Sequence, residues 1–353
     1  MKIHQEFTGG NIEVEKIDGN HVYLKNQLRD TEGTWFYWAF CIEGAEGETL
    51  TFHFEEHRLG YYGPAISHDL ESFKWLNSLD DDNTFTYTFA ENETKVYFAH
   101  DILYHPERFY EFCNKKSIEV KEFCKSNKGN SVPFITFGNG KKTVLLTARH
   151  HACEATGNYV LEGVLENLLA DIPEDYNFIC IPFADFDGVV NGDQGKQRIP
   201  HDHNRDYVKE EPPIYAETKK IREITDNGNV VFGFDFHSPW HKGSDHDNAL
   251  IVHSSKEKKD LFDEFGKFFE QEITPDAFKY YTKNDLFVGR SWNVGGSHTF
   301  ASYILNNSNG KLAFTLETPY FGTKDKQNVF TEKSGIALGN SFANAFRKYI
   351  KSV

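Results

Sequence analysis

The pattern of apolar and polar positions changes character about a hundred residues into the chain. Before that point the apolar residues form short, roughly alternating and aromatic runs, separated by turns rich in Gly or Asp, as at 44–47 and 80–83. Regular runs of this kind predict β-strands that stack as a sandwich. The predicted strands cover 21–24, 35–41, 50–54, 85–89 and 95–99. We therefore predict an all-β sandwich domain over residues 1–103.

After residue 103 the pattern predicts strands that alternate with helices. A helix is predicted over 109–124, and a Gly138-Asn139-Gly140 turn between the apolar runs 134–137 and 143–148 predicts a β-hairpin. Further strands are predicted at 178–183, 230–237, 250–253 and 313–317, and further helices at 159–169, 256–273 and 336–350. Alternation of this kind is typical of an α/β fold. For residues 104–353 we predict a mixed sheet flanked by helices on both faces.

The composition and net charge of the chain disfavour some classes of binding partner. The chain has 353 residues and a net charge of -15, which disfavours nucleic acid and anionic membranes as partners. Its five cysteines are scattered and odd in number, so they indicate neither a disulfide framework nor a cysteine-ligated metal site. The first residues lack the apolar core of a signal peptide, and no apolar stretch approaches the roughly 18 residues of a membrane span. We therefore expect a soluble cytoplasmic protein, and we leave its oligomeric state open.

Three residues at predicted strand ends form a candidate metal site. His151 and Glu154 follow the apolar run 144–148, and His237 ends the run that begins at 230. Two histidines and one glutamate with an open fourth position are typical of hydrolytic zinc. Each residue alone also fits an ordinary structural role, because an HxxE pair recurs by chance in a chain with 16 His.

Polar residues between 195 and 206 offer substrate-binding chemistry. Asn204 and Arg205 present an amide and a planar guanidinium that suit a carboxylate, although a solvated loop has the same composition. Arg198 is a cation that could stabilise a developing oxyanion, or an ordinary surface residue. His201 and His203 are an alternative pair of metal ligands.

Glu317 ends the apolar run 313–316. Burial of a carboxylate at the end of an apolar strand costs free energy. Such a buried carboxylate could act as a general base that takes a proton from a water molecule at the metal. The alternative is a structural Glu in a salt bridge.

Taken in chain order, these residues resemble the carboxypeptidase A-like zinc peptidase superfamily. The family's order is HxxE, an arginine, Asp-x-Asn-Arg, a His after a strand and a Glu after a last strand. The corresponding residues are His151, Glu154, Arg198, Asp202, Asn204, Arg205, His237 and Glu317. The segment 185–188, Asp-Phe-Asp-Gly, is similar to the family's Pro-Asp-Gly stretch before the arginine. The aromatic motifs of the first hundred residues are similar to the sandwich of the cytosolic carboxypeptidases, the branch that the chain resembles most.

The resemblance implies a zinc metallocarboxypeptidase that removes the C-terminal residue of a peptide or protein. One Zn²⁺ per chain would be held by His151, Glu154 and His237. Asp202 would accept a hydrogen bond from the far nitrogen of His151, and Glu317 would act as general base to the zinc-bound water.

The resemblance also implies how a substrate is held. Asn204 and Arg205 would bind its terminal carboxylate, and Arg198 would polarise the scissile carbonyl and stabilise the oxyanion. His298 would line the specificity pocket. The family's substrate-capping tyrosine has no counterpart near Ser291 and Trp292, so this role is left unassigned.

Two alternative functions remain open at the level of sequence. The first is a zinc amidase or deacylase that acts on a cell-wall peptide or a small N-acyl amino acid. The second is a non-catalytic binding protein that keeps the fold. Cys153, inside the HxxE tetrad, is expected to be a buried spacer rather than a ligand.

Overall fold

The chain folds into an all-β region followed by an α/β region. The computed structural model describes residues 1–296, 298–307 and 309–352. The strands of the first region are β1 (Lys2–His4), β2 (Glu13–Asp18), β3 (His21–Lys25), β4 (Ala39–Glu43), β5 (Thr49–His53), β6 (Ala65–Ser67), β7 (Lys74–Trp75), β8 (Thr84–Thr88) and β9 (Lys95–Ala99).

The first region is a two-sheet sandwich, which confirms the prediction from the alternating aromatic runs. One sheet has the strand order β1-β4-β9-β6-β7, and the other has the order β2-β3-β5-β8. In β3 and β5 alternate residues are buried, so each strand turns one face toward the other sheet. The side chains enclosed between the sheets include Trp38, Phe40, Phe52, Phe85 and Phe98.

The segment before β4 differs from the prediction. A strand was predicted over 35–41, whereas β4 begins at Ala39. Trp35 and Phe36 are buried in the core of the second region instead of the sandwich. Successive residues of a strand point to opposite faces, so an unbroken aromatic run cannot bury all its rings in one sandwich core. The segment therefore leaves the sheet and packs against the α/β region.

The second region contains the remaining elements. They are α1 (Pro106–Lys115), β10 (Lys121–Lys125), β11 (Ser131–Gly138), β12 (Lys142–Ala148), α2 (Thr156–Ala170), β13 (Tyr176–Ile181), α3 (Phe186–Asn191), α4 (Ala216–Asn227), β14 (Val230–His237), β15 (Leu250–His253), α5 (Lys259–Glu272), α6 (Phe300–Asn306), β16 (Leu312–Glu317) and α7 (Glu332–Ser352). None of the described helices is long and apolar enough to cross a membrane. The position of the boundary between the two domains stays a prediction.

One mixed sheet forms the centre of the second region, as predicted. Its strand order is β10-β11-β13-β12-β14-β16-β15. The four central strands run parallel, and β10, β11 and β15 are antiparallel to their neighbours. Every residue of β14 is buried, as expected for a central strand that helices cover on both faces. The carboxyl ends of β12, β14 and β16 therefore meet at one edge of the sheet.

The predicted β-hairpin is wrong. The apolar runs on either side of Gly138-Asn139-Gly140 do form β11 and β12, but these strands do not pair with each other. β13 lies between them, antiparallel to β11 and parallel to β12. Both edges of β12 pair with parallel strands, β13 and β14, which lie much later in the chain. Such long-range pairing leaves no trace in the turn residues.

The predicted helix over 109–124 is too long. α1 ends at Lys115, and Ser117 then adopts a positive φ of 57°. The following residues, including Ile118 and Val120, alternate apolar with charged and lead into β10, which pairs antiparallel with β11. β-branched residues at alternate positions favour a strand over a helix.

Helices cover both faces of the central sheet. Phe232 and Phe234 of β14 contact Phe346 of α7. The intervening Gly233 faces Ile304 of α6, on the opposite side of the sheet. Because side chains alternate along a strand, the residues of β14 that share a face with Gly233 include Asp235 and His237.

Two helices on one face approach so closely that glycine is required. A Cβ added at Gly339 of α7 would overlap the carbonyl oxygen of Val160 in α2. In an open helix Gly→Ala stabilises by about 1 kcal/mol. Here we expect Gly339→Ala to lower the free energy of unfolding by about 1–3 kcal/mol, because overpacking forces the helices apart. Denaturant unfolding measures this change, and Lys333→Ala at an exposed position of α7 is the matched control. A stability equal to that of the control would show that the helices separate without cost.

Candidate active site

Two candidate metal ligands come from the loop after β12. The strand ends at Ala148, and Arg149 adopts a positive φ of 61°, which turns the chain out of the sheet. His151 and Glu154 lie in this turn, before α2 begins. Their side chains meet, with Nδ1 of His151 2.8 Å from Oε1 of Glu154.

The third side chain comes from the neighbouring strand. His237 is the last residue of β14, which lies beside β12 in the sheet. Since parallel strands end at the same edge, Nδ1 of His237 lies 2.7 Å from Oε2 of Glu154. The donor atoms of His151, Glu154 and His237 are all within 4.8 Å of one another. The tertiary fold thus brings together the three residues that the sequence predicted as metal ligands, and they form a candidate metal-binding group.

Each histidine of this group has a second carboxylate behind it. Nε2 of His151 lies 3.5 Å from Oδ1 of Asp202, and Nε2 of His237 lies 2.5 Å from Oδ2 of Asp235. A carboxylate on the far nitrogen fixes the tautomer and leaves the near nitrogen as a lone-pair donor. Both Nδ1 atoms therefore face the same point, which is the arrangement of metal-binding histidines.

The donor set fits Zn²⁺. Oε2 of Glu154 is buried and has no partner of hydrogen-bonding geometry among the described residues, although Nδ1 of His237 is close to it. Burial acts to raise the pKa of Glu154, but Lys196, His151 and His237 together lower it well below its usual value, so the carboxylate is ionised. Two imidazole nitrogens and one carboxylate oxygen are ligands of catalytic zinc sites that keep a position open.

Behind His237 lies a buried hydrogen-bonded chain. Asp235 also accepts from Thr147 Oγ1 at 2.8 Å, and its Oδ1 lies 2.9 Å from Nδ1 of His150. Nε2 of His150 is in turn 2.8 Å from the hydroxyl of Tyr207. The sequence interpretation missed Asp235 and His150. The signal available was a carboxylate two residues before His237 in an otherwise apolar strand, where the two side chains must share a face.

Glu317 lies beside the metal-binding group. It ends β16, and the strand register pairs it with His237. Its side chain is 7% exposed, and among the described residues Oε2 has no hydrogen-bond partner. Burial raises the pKa of Glu317 to about 7, against an opposing effect of His237. In the metal-free site, burial thus favours the protonated form of this carboxyl group more than it would for an exposed Glu.

The metal-binding group and Glu317 open into one pocket of about 630 Å³. It lies at the carboxyl ends of the parallel strands, where α/β sheets usually bind ligands. The first region contributes Trp35 to its wall. The other lining residues that bear on function are His151, Glu154, Lys196, Asp202, Asn204, Arg205, His237, Trp240, His246, His253, Trp292, His298 and Glu317.

Asn204 and Arg205 lie in this pocket, as the sequence interpretation required of carboxylate-binding residues. Oδ1 of Asn204 accepts a hydrogen bond from the backbone N–H of Phe300, at the first residue of α6. The oxygen is thereby held, and the NH₂ group is the part of the amide that can donate to a ligand. Arg205 is exposed, and its described contact is with the backbone oxygen of Asn204.

The outer part of the pocket carries the predicted specificity residue. His298 lines it, and partial burial lowers the pKa of its imidazole. Trp240 and Trp292 also line this part of the pocket, at 37% and 41% exposure. No tyrosine is among the lining residues that the structure describes, so the role of the substrate-capping tyrosine stays unassigned.

Arg198 is not brought to the pocket. Its Nε lies 2.7 Å from Asp30, and its two terminal nitrogens lie 2.7 Å from Asp185 and 3.0 Å from Asp193. Because three carboxylates surround the guanidinium, every nitrogen already has an anionic partner. Asp30 belongs to the segment between β3 and β4, so Arg198 ties the first region to the second. The expected role at the scissile carbonyl does not match this position.

Lys196, unlike Arg198, does line the pocket, and it lies next to the candidate metal ligand Glu154. Its Nζ lies 2.6 Å from Oε1 of Glu154, and the residue is 7% exposed. The sequence interpretation gave Lys196 no role, because it assigned the role of the cation to Arg198, two residues later.

The other predicted alternatives lie outside the metal-binding group. Nε2 of His201 is 2.8 Å from Asp206, and His203 stacks on Tyr215 with ring centroids 3.6 Å apart. Cys153 is buried, and its sulfur is 3.4 Å from the hydroxyl of Tyr320. The HxH pair is therefore held by its own neighbours, and Cys153 acts as a spacer between the two ligands.

Both regions of the chain have counterparts among known families and proteins. Residues 3–100 match the family described as the cytosolic carboxypeptidase N-terminal domain. Cytosolic carboxypeptidase 2 of Xenopus tropicalis is 23% identical over 320 residues, which cover 80% of this chain and 32% of that protein. The chain thus spans about a third of the length of this relative. An uncharacterized protein of Zymomonas mobilis is 25% identical over 256 residues, 67% of each chain.

A solved structure covers nearly the whole molecule. The metallo-carboxypeptidase from Burkholderia cenocepacia superposes with a TM-score of 0.80 over 99% of both chains, at 19% sequence identity. At this identity the likeness establishes the fold. The chain therefore combines a match to the cytosolic carboxypeptidase N-terminal domain at residues 3–100 with the metallo-carboxypeptidase fold, and it shows distant sequence similarity to cytosolic carboxypeptidases.

Proposed function

We propose that the protein is a zinc metallocarboxypeptidase that hydrolyses the C-terminal residue of a peptide or protein. The observation that carries this proposal is the composition of a single pocket. It combines a His-Glu-His metal site, a buried carboxyl group beside it, and an amide and a guanidinium that suit a carboxylate. The first two parts serve hydrolysis, and the third selects a substrate that ends in a free carboxylate.

The metal would be held by His151, Glu154 and His237, with Asp202 and Asp235 orienting the two imidazoles. When bound, zinc polarises a carbonyl group and makes a water molecule more acidic. The donor set stays in place through the reaction because second carboxylates hold both rings.

Glu317 moves the proton. It takes a proton from the attacking water as the C–O bond forms, and it delivers that proton to the amine as the C–N bond breaks. A carboxyl group can act first as the base and then as the acid in two such transfers. Its buried position beside His237 keeps the carboxyl group at the edge of the metal site.

Arg205 and the NH₂ group of Asn204 would bind the terminal carboxylate of the substrate. His298 would contact its last side chain. A cytoplasmic location is also proposed, supported by the type of N-terminal domain and by five free cysteines.

The proposal is tested with peptides that differ only in a free or an amidated C-terminus. We expect zinc-loaded protein to cleave the free form at least about 10-fold faster, because a charge-assisted hydrogen bond contributes about 1.5–3 kcal/mol. Arg205→Met should remove most of this preference, mainly through a higher KM. Lys267→Met, at an exposed position of α5, is the control. Equal cleavage of both peptides would replace this function with the amidase or deacylase alternative.

A further inference from the structure

Lys196 is a buried ammonium group in the wall of the catalytic pocket. Within salt-bridge distance it has one carboxylate among the described residues, Glu154 at 2.6 Å. Its other polar neighbours are the backbone oxygens of Ser238 and Pro239, at 3.3 and 3.4 Å, and its Nζ lies 5.4 Å from the centre of the Trp35 ring. Burial of a charge costs free energy. The position of this buried lysine therefore calls for a functional explanation.

The loop that carries Lys196 is packed against the metal-binding turn. Gly195 has a positive φ of 73°, and a Cβ at this position would overlap the backbone nitrogen of Ala152, inside the HxxE tetrad. The backbone N–H of Gly195 also donates to Asp30 at 2.8 Å. Because glycine lets the two backbones touch, the next side chain, Lys196, is directed past Glu154 into the pocket.

The long contacts of Lys196 leave it available to a ligand. Distances of 3.3 and 3.4 Å are at the weak end for N–H···O hydrogen bonds. A substrate oxygen in the pocket can therefore take over one of these N–H groups at little cost. Arg198, with a carboxylate on each of its nitrogens, has no comparable freedom.

We propose that Lys196, and not Arg198, is the catalytic residue that binds the oxygen of the scissile carbonyl and stabilises the oxyanion. This inference rests on the proposed function and deepens it. As water adds to the carbonyl carbon, its proton goes to Glu317 and the C=O electron pair moves onto the oxygen. Lys196 donates a hydrogen bond to that oxygen and keeps its own proton. When the C=O bond re-forms, the C–N bond breaks and Glu317 returns its proton to the amine.

Three variants test this assignment: Lys196→Met, Lys196→Arg and Arg198→Met. Two ligands distinguish the roles on zinc-loaded protein. A peptide phosphonate places a tetrahedral anion where the oxyanion forms, whereas the monocarboxylate 3-phenylpropanoate fills the terminal-carboxylate site. For each variant the binding constants of both ligands are measured together with the zinc affinity, by chelator competition, and the melting temperature.

We expect Lys196→Met to lower kcat by about 10²–10³-fold, the usual effect of losing one oxyanion donor, with a much smaller change in KM. The affinity for the phosphonate should fall by a similar factor, while 3-phenylpropanoate and zinc bind as before. Lys196→Arg keeps the cation and should retain most of the phosphonate affinity. Arg198→Met should lower the melting temperature and leave the ratio of the two ligand affinities at the wild-type value.

The opposite pattern overturns the assignment. If Arg198→Met loses phosphonate selectively, the arginine holds the role. If Lys196→Met lowers the affinity for zinc, or lowers the affinities for both ligands equally, Lys196 only balances the charge of Glu154. Should Lys196→Met fail to fold, Lys196→Arg and Lys196→Gln decide between the same outcomes. Absence of peptide hydrolysis in the wild type would refute the proposed function, yet the ligand comparison would still test Lys196.

Discussion

Glu317→Gln should remove nearly all hydrolysis while the protein keeps its metal. The substitution preserves the shape of the side chain, but an amide cannot accept the proton of the attacking water. General acid–base catalysis of this kind typically contributes about 10²–10⁴-fold, so we expect kcat to fall by that factor. The donor atoms of His151, Glu154 and His237 are unchanged, so zinc affinity should remain within a few-fold of wild type. Peptide kinetics and zinc titration measure the two effects on the same preparation.

The matched control for this variant is Glu223→Gln. Glu223 is exposed on α4 and lies outside the pocket, so this change should leave kcat unaltered. The decisive comparison is between activity and metal content. If Glu317→Gln cleaves peptides at the wild-type rate, Glu317 is a structural residue and another group moves the proton. Loss of zinc in this variant would instead assign Glu317 to the metal site.

Removal of the metal should produce the second large effect. Chelation should abolish activity and lower the melting temperature, because a ligand that binds only the folded protein stabilises it. Added zinc should restore both. His237→Ala removes a ligand outright, so we expect it to lose zinc binding at micromolar metal concentrations.

Asp235→Asn provides the graded comparison for this prediction. The carboxylate of Asp235 orients His237 at 2.5 Å, and loss of such a group typically weakens metal binding by about 10–100-fold. The expected order of zinc affinity is wild type, then Asp235→Asn, then His237→Ala. His68→Ala, at an exposed site in the sandwich, should match the wild type. An unchanged zinc affinity in His237→Ala would contradict the assignment of the metal site.

Much of the site could be predicted because its parts stand at the ends of apolar runs. His237 and Glu317 each close such a run, and His151 follows one within three residues. Parallel strands in one sheet bring their carboxyl ends to the same edge. The spacing along the chain therefore implied a cluster in space, even though the order of strands in the sheet was unknown. The error in the predicted pairing of β11 with β12 did not affect this prediction, because β12 still ends at the same edge of the sheet.

The two cationic residues of the loop at 195–198 illustrate what the sequence alone could not predict. Lys196 and Arg198 are two residues apart, and both are positively charged and flexible. Only the path of the loop decides which of them enters the pocket. Asp30, which holds Arg198 away from it, lies more than 160 residues earlier in the chain. The tie between these two residues depends on how the sandwich docks, and no local pattern encodes that docking.

The sequence by itself determined the two kinds of fold region, the candidate metal ligands and the carboxyl group beside them. These follow from local periodicity and from the chemistry of side chains at strand ends. The tertiary structure alone decided the pairing of β11, the entry of Trp35 into the pocket, the buried partners behind His237 and the position of Lys196, rather than Arg198, in the pocket wall. Each of these depends on contacts between residues far apart in the chain. Burial and close packing select among such contacts, and neither can be read from neighbouring positions.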